Sequence, residues 1–340
     1  MNQTIAKPET KIRESNFELL RIIAMFMVLV LHADFQALGA PTRADIISSP
    51  IVSTLKVFFE MASIVAVNVF ILISGWFGIR PSVKGFCKFV FQCLFFSVGV
   101  YLVMLLLDRD ELSLRGIAGC LMLIPGSSYW FIPSYVCLYL FSPVLNAFIK
   151  VADKKAFRFV LLAFFAFQTV FSFMANGANF LMRGYSAMSF MGLYLLAAYV
   201  REHTDTQKCQ SRIFYGGGYV LITILLSVIW VYASWQGLDF VTNILPLYSN
   251  PLIILSSLLL LLYFSRITIT CRILNKIAAS CFAVYLFHCH PTIYTYYLDS
   301  IKMVSGSNLI CVIGIIMLWY LLSILLDLIR IALYRCILRF

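Results

Sequence analysis

The sequence predicts an all-α fold, a polytopic membrane helix bundle of about ten transmembrane helices with both termini cytoplasmic. Three observations carry that reading. Hydrophobic residues fill 62% of the 340 positions and charged residues 12%, at a mean hydropathy of +0.93, whereas soluble domains sit near ~45–50% apolar and about a quarter charged. The apolar residues gather into runs that approach the ~20 positions needed to span a bilayer. Lys and Arg cluster between alternate runs.

Taken in order, the runs place helices at about 17–38, 54–79, 85–107, 129–149, 156–175, 184–200, 213–236, 246–265, 277–298 and 308–329. Ile117–Ile124 is too short to span and reads as re-entrant or interfacial, ended by Pro125-Gly126. Connections reach about a dozen residues, and no repeat or low-complexity stretch occurs, so residues 1–340 read as one integral membrane domain. Residues 1–16 form a mostly polar, cytoplasmic N-terminal segment with no expected cleavable signal.

Orientation follows from the loops. With the N-terminus and alternate connections on one side, nineteen Lys and Arg residues lie there, among them Arg80, Lys84, Lys88, Arg201, Arg266 and Arg330. The other side holds five: Arg43, Arg109, Arg115, Arg183 and Lys302. Cytoplasmic loops carry the basic excess. The net charge of +11 is thus a topology signal, and no nucleic-acid partner is expected. The lipid bilayer is the expected surrounding, and a homo-oligomer is compatible with the sequence. The ten cysteines include no Cys-x-x-Cys and lie in or beside apolar runs, where cysteine packs as a small hydrophobe.

Ionisable groups inside a bilayer are costly, so those that remain are functional candidates. The first helix holds Glu14, Glu18, Arg21 and His32. Arg21 and His32 are eleven positions apart, which on an α-helix leaves them about 20° from eclipsed and ~16 Å apart along the axis. Glu14 and Glu18 share the stripe, and Glu18 pairs with Arg21 at i and i+3. A snorkelling arginine and a buried, hydrogen-bonded histidine would explain each residue alone; their common face argues for a site. Imidazole exchanges protons near neutral pH, and guanidinium forks around phosphate or carboxylate. An anion clamp at the cytoplasmic end with a base deep in the membrane suits group transfer from a phosphorylated carrier.

The Arg21-x10-His32 spacing resembles the signature of the membrane acyltransferase-3 family, whose members acylate glycans. VNVFILISGWFGIR at 67–80 resembles that family's Phe-x-x-x-Ser-Gly segment, SYWFIPSYVCLYLFSPVLN at 128–146 its Trp-Phe helix, and SCFAVYLFHCHP at 280–291 its late Tyr-Leu-x-His segment. The resemblance implies an acyl-CoA donor, usually acetyl-CoA, entering from the cytoplasm, and a glycan acceptor, a cell-surface polysaccharide or its lipid-linked precursor, in a bacterial inner-membrane O-acyltransferase. By position, His32 is then the catalytic histidine, Arg21 the motif arginine near it, and His288 the late histidine. The family's Arg-x-x-Arg is represented by Arg80, Lys84 and Lys88 without that spacing, as cofactor-phosphate ligands. No appended hydrolase-like domain is expected, so the bundle would complete the transfer.

Other candidates have structural readings beside them. Asn68, Ser74 and Gly75 either face the site or let helices pack closely. Ser74 lacks a neighbouring base in sequence for a nucleophilic role. Tyr129 and Trp130 form a sugar platform or part of the interfacial aromatic belt. Lys56 and Glu60, at i and i+4, read as a structural pair. His288-Cys289-His290 reads as a polar kink before Pro291, since i and i+2 diverge on a helix; no metal is expected. Asp34 lies about 200° from His32, so any orienting carboxylate should come from another helix. Direct transfer and a covalent acyl-enzyme both stay open. The competing function is a polysaccharide or lipid-linked sugar transporter without chemistry, against which stands the lack of paired Gly/Pro-broken helices in matching halves; a membrane scaffold would not need Arg21 and His32 on one face.

Overall fold

The computed structural model describes residues 14–122, 129–174, 181–204, 211–306 and 309–337. Residues 1–13, Pro125-Gly126, Lys208 and Arg339 lie outside these. The described helices are α1 (Ser15–Leu31, continued by a π-helix, His32–Leu38), α2 (Arg43–Ser48), α3 (Pro50–Ser63), α4 (Ala66–Phe77), α5 (Val83–Leu106), α6 (Leu114–Met122), α7 (Phe131–Val151), α8 (Lys154–Met174), α9 (Ala187–His203), α10 (Arg212–Gln236), α11 (Asp239–Ile244), α12 (Pro251–Ser265), α13 (Arg272–Ala278), α14 (Cys281–His288), α15 (Pro291–Val304) and α16 (Leu309–Ile337).

Among the described residues, seven spans are long and apolar enough to cross a membrane: Ser15–Leu38, Pro50–Phe77, Val83–Leu106, Phe131–Val151, Lys154–Phe173, Arg212–Gln236 and Leu309–Cys336. The other runs identified in the sequence are helical but shorter, as α9 and α12, or divided, as α13, α14 and α15. Division has a local cause at Pro291: proline lacks an N–H and suits the first turn of a new helix, so α14 stops at His288 and α15 starts at Pro291. The His290 side chain caps α15 by accepting from the Thr292 N–H at 3.2 Å. The sequence-predicted second helix is likewise two helices joined end to end at Ile64 and Val65. In α7, Pro143 leaves the Tyr139 carbonyl without its usual i+4 donor; the buried Ser142 hydroxyl takes that place at 2.7 Å.

The bundle has an inside and a rim. In an 18-residue apolar stretch of each span, 72% of the α3–α4 residues and 56% of the α1 residues are buried, against 17% for α16 and α7. Exposed Leu318, Leu321 and Leu325 on α16, like Leu221 and Leu225 on α10, form the apolar face that lipid would cover. Close packing at the centre depends on Gly75: a Cβ there would run into the Tyr194 carbonyl oxygen of α9. Small residues allow such approach between membrane helices. Two hydrogen-bonded links show α1 and the α13–α14 segment running parallel and in step. Ser15 Oγ accepts from the Cys271 N–H at 3.0 Å at one end, and His32 meets His288 at the other, both across a separation of 256 residues.

One expectation changes. Arg330 is not a loop residue: α16 continues to Ile337, and Arg330 is 2% exposed and paired with Asp327 inside it. Lys56, whose charge acts on Glu60 one turn along α3, also donates to the Leu38 carbonyl at 3.1 Å, tying α3 to the end of the π-helix. Outside the spans, the Thr42 hydroxyl and N–H hold the Asp45 carboxyl of α2 below the usual carboxylate range.

Candidate functional site

Along α1 the side chains of Glu18, Arg21, Met25, Val28 and His32 recur every three or four residues, and all line one cavity of about 480 Å³. That spacing keeps them on a single helix face, and their span from Glu18 through Gln36 covers ~27 Å of helix rise, close to the ~30 Å hydrocarbon thickness. The opposite walls come from Val67, Phe70 and Ser74 of α4, Phe89 and Gln92 of α5, Trp130 with Phe131 and Tyr135, Tyr248, the α13–α14 segment and Tyr294.

Arg21 marks one end. Its Nη1 donates to Glu18 Oε1 at 2.7 Å, and the arginine side chain stays 32% exposed against 7% for the glutamate. One guanidinium donor is thereby used of five, which leaves a partly neutralised cation open to the cavity. Phe17, one residue before Glu18, packs its ring on Trp76 and Phe77 at 5.8 and 4.9 Å. Arg80 therefore lies near the same end. Arg80, Lys84 and Lys88 are exposed and not among the cavity-lining residues. Glu14, exposed and at the N-cap position of α1, is also off the cavity.

His32 marks the depth, where α1 changes to a π-helix. π segments are rare and recur at functional sites. His32 Nδ1 lies 2.9 Å from His288 Nε2, and the His288 Nδ1 lies 2.5 Å from the Val284 carbonyl. The partner of His32 is thus a second imidazole from α14; Asp34, buried, is not among the cavity-lining residues. Cys289 Sγ sits 3.2 Å from His288 Nε2 and 3.8 Å from His32 Nδ1. His32, His288 and Cys289 together bring three ligand atoms within 4.8 Å, the one such group of three or more metal-ligating side chains among the described residues. The sequence placed the metal question on His288-Cys289-His290; folding separates His290 into a cap and recruits His32 instead.

The remaining candidates divide. Ser74 and Trp130 line the cavity. The Ser74 hydroxyl donates to Phe70 O at 3.0 Å, and Trp130 stacks on Tyr248 at 6.0 Å and 27°. Asn68 is buried and donates to the Tyr248 carbonyl at 3.0 Å. Tyr129 is buried as well: its hydroxyl donates to the Leu286 carbonyl at 2.5 Å, satisfying an end group of the helix that carries His288. Sequence reasoning missed Cys289 as a wall residue and missed Gln92, Tyr135, Tyr248, Tyr285 and Tyr294; polar residues inside apolar runs were the available signal for Gln92.

A multi-helix membrane protein with an arginine and a histidine in one membrane-deep cavity is the class these features define. The acyltransferase-3 family model, an acyltransferase domain, matches residues 14–333. The chain belongs to that family, and its reaction class is acyl transfer. No curated protein and no solved structure is detectably similar to it.

Proposed function

We propose that the protein is an O-acetyltransferase of the bacterial inner membrane that moves an acetyl group from acetyl-CoA to a hydroxyl of a cell-surface polysaccharide or its lipid-linked precursor. In this reading the chain crosses the membrane about ten times with both termini cytoplasmic, so that the Arg21 end of the cavity would open to the cytoplasm. The observation that carries the reading is that Arg21 and His32 share one cavity, ~16 Å apart along α1. A donor whose phosphates rest near Arg21 reaches His32 only if a long arm separates phosphate from acyl carbon. Coenzyme A has such an arm; an acyl phosphate does not.

In this scheme His32 takes the proton of the acceptor hydroxyl as its oxygen attacks the thioester carbonyl. The carbon–sulfur bond breaks, and the departing thiolate receives the proton from His32, so coenzyme A leaves as the thiol. Arg21 holds donor phosphate with a charge-assisted fork, and Arg80, Lys84 and Lys88 raise the local anion concentration at the cavity mouth. Trp130 offers an apolar face to the acceptor ring. Ser74, its hydroxyl committed to Phe70, lines the path without a nucleophilic part.

The test is thiol release by purified protein given acetyl-CoA and an acceptor glycan. Wild type should release coenzyme A in step with ester formation, and His32→Ala at equal folded level should lose on the order of 10²–10⁴-fold, the range for a general base. Undiminished release in His32→Ala would remove the base. Sugar movement with no thioester consumed would favour the transporter, a reading that family membership argues against.

A further inference from the structure

The hydrogen bonds behind His32 decide which of its nitrogens meets the substrate. A backbone carbonyl only accepts, so His288 Nδ1, 2.5 Å from Val284 O, carries the proton. In a neutral ring, His288 Nε2 is then a bare lone pair. His32 Nδ1 lies 2.9 Å from it. Two lone pairs do not face each other at that distance, so the proton between them belongs to His32 Nδ1. Cys289 Sγ also approaches His288 Nε2, at 3.2 Å, but a thiol is the weaker donor. What remains on His32 is Nε2, unprotonated, on the ring edge away from His288, in a side chain that lines the cavity.

We infer that His288 is a positioning residue: its neutral imidazole holds His32 in the Nδ1–H tautomer, aims the Nε2 lone pair at the acceptor hydroxyl, and shares the proton once His32 has taken it. The inference rests on the reading of His32 as base. The role is the one a carboxylate fills in Ser-His-Asp hydrolases, and burial explains the exchange. His288 is 0% exposed, and a sealed carboxylate within the membrane would be a costly unpaired charge between turnovers. An imidazole supplies the same acceptor without charge. When the proton arrives, the cation spreads over two rings already in contact. Tyr297 packs edge-on against His288 and Tyr294 against His32, each at 5.4 Å between centroids, and hold both rings in place. Tyr297 is itself fixed by its 2.7 Å bond to Leu29 O of α1.

The experiment reads the tautomer and the rate together. The chain has four histidines, so protein labelled with 15N-histidine in lipid bilayers gives a short spectrum, with His32 assigned by its loss in His32→Ala. The wild-type His32 should be protonated at Nδ1, and in His288→Leu the proton should move to Nε2. His288→Leu should lower kcat on the order of 10²–10⁴-fold with the KM for acetyl-CoA unchanged. His288→Gln, whose amide oxygen accepts from Nδ1–H, should recover part of that loss; a packing role would favour leucine over glutamine instead. A wild-type His32 protonated at Nε2, a His288→Leu enzyme with wild-type kcat, or a stoichiometric metal ion on His32, His288 and Cys289 would each overturn the inference. Should His288→Leu not fold, the wild-type and His288→Gln spectra still decide it. Full activity in His32→Ala would end the base reading alone, leaving the tautomer to be judged by the spectrum.

Discussion

Two arginine–carboxylate pairs sit inside this bundle at the same i, i+3 spacing, and they have opposite surroundings. On α1, Arg21 meets Glu18 at 2.7 Å; on α16, Arg330 meets Asp327 at 2.6 Å. The α16 pair is sealed, at 3% and 0% side-chain exposure, whereas Arg21 keeps 32% of its side chain open. Arg330 also forks, with Nη2 on the second carboxylate oxygen at 3.1 Å, and Gln92 of α5 donates to Asp327 Oδ1 at 3.1 Å. Gln92 lines the cavity on its other side. The sealed pair therefore braces a cavity wall by joining α5 to α16, while the open pair presents its charge to the cavity. Spacing alone does not distinguish a brace from a binding group; the access of the guanidinium does.

The largest expected effect breaks the sealed pair. Asp327→Ala leaves a buried, unpaired guanidinium, and removing one partner of a buried pair costs about 3–5 kcal/mol. The yield of folded protein and its thermal midpoint in detergent should both fall, while Asp327→Leu with Arg330→Leu should restore much of the loss, since well-packed apolar replacements of such pairs are often neutral or better. A normally folded but inactive Asp327→Ala would contradict the assignment as a brace.

Arg21→Ala should act on binding instead. Charge-assisted hydrogen bonds contribute about 1.5–3 kcal/mol, so the KM for acetyl-CoA should rise roughly ten- to a hundredfold with the thermal midpoint unchanged. Arg21→Lys should recover part of it, because a lysine keeps the charge and loses the fork. If Arg21→Ala unfolds the protein and leaves the KM as it was, both pairs are braces. The smallest effect sharpens the contrast: on the proposed mechanism, Glu18→Gln removes a carboxylate that would compete with donor phosphate for Arg21. A half-open pair contributes about 1 kcal/mol or less, so the KM should fall by no more than a few fold, whereas Asp327→Asn should cost stability. A raised KM in Glu18→Gln would show that the glutamate orients the arginine rather than competes for it.

Much of this contrast was hidden in the sequence. The stripe from Glu18 through Arg21 to His32 was readable because all three lie on one uninterrupted helix, where number of residues fixes angle and rise. From sequence alone Arg330 reads as a loop cation, because apolar composition thins near the end of α16; nothing local says that Gln92, 235 residues before its partner Asp327, supports that carboxylate. Tyr129 and Trp130 are adjacent and looked alike, yet one ends α14 and the other lines the cavity, a division set by the turn of chain between them and the helices it meets.

The sequence by itself determined the material of the fold and one face of the site. Apolar runs of near-membrane length, the break before Pro291, and the polar stripe of α1 all depend on interactions between residues close along the chain. Only the tertiary structure decided what faces that stripe. It brought His288 and Cys289 to His32 across more than 250 residues, left Arg80, Lys84 and Lys88 on the outer surface, and sealed Arg330 while leaving Arg21 open. The reason is physical: where helices carry little polar patterning on their apolar faces, the partner of a buried polar group is chosen by packing between distant segments, which local periodicity does not encode.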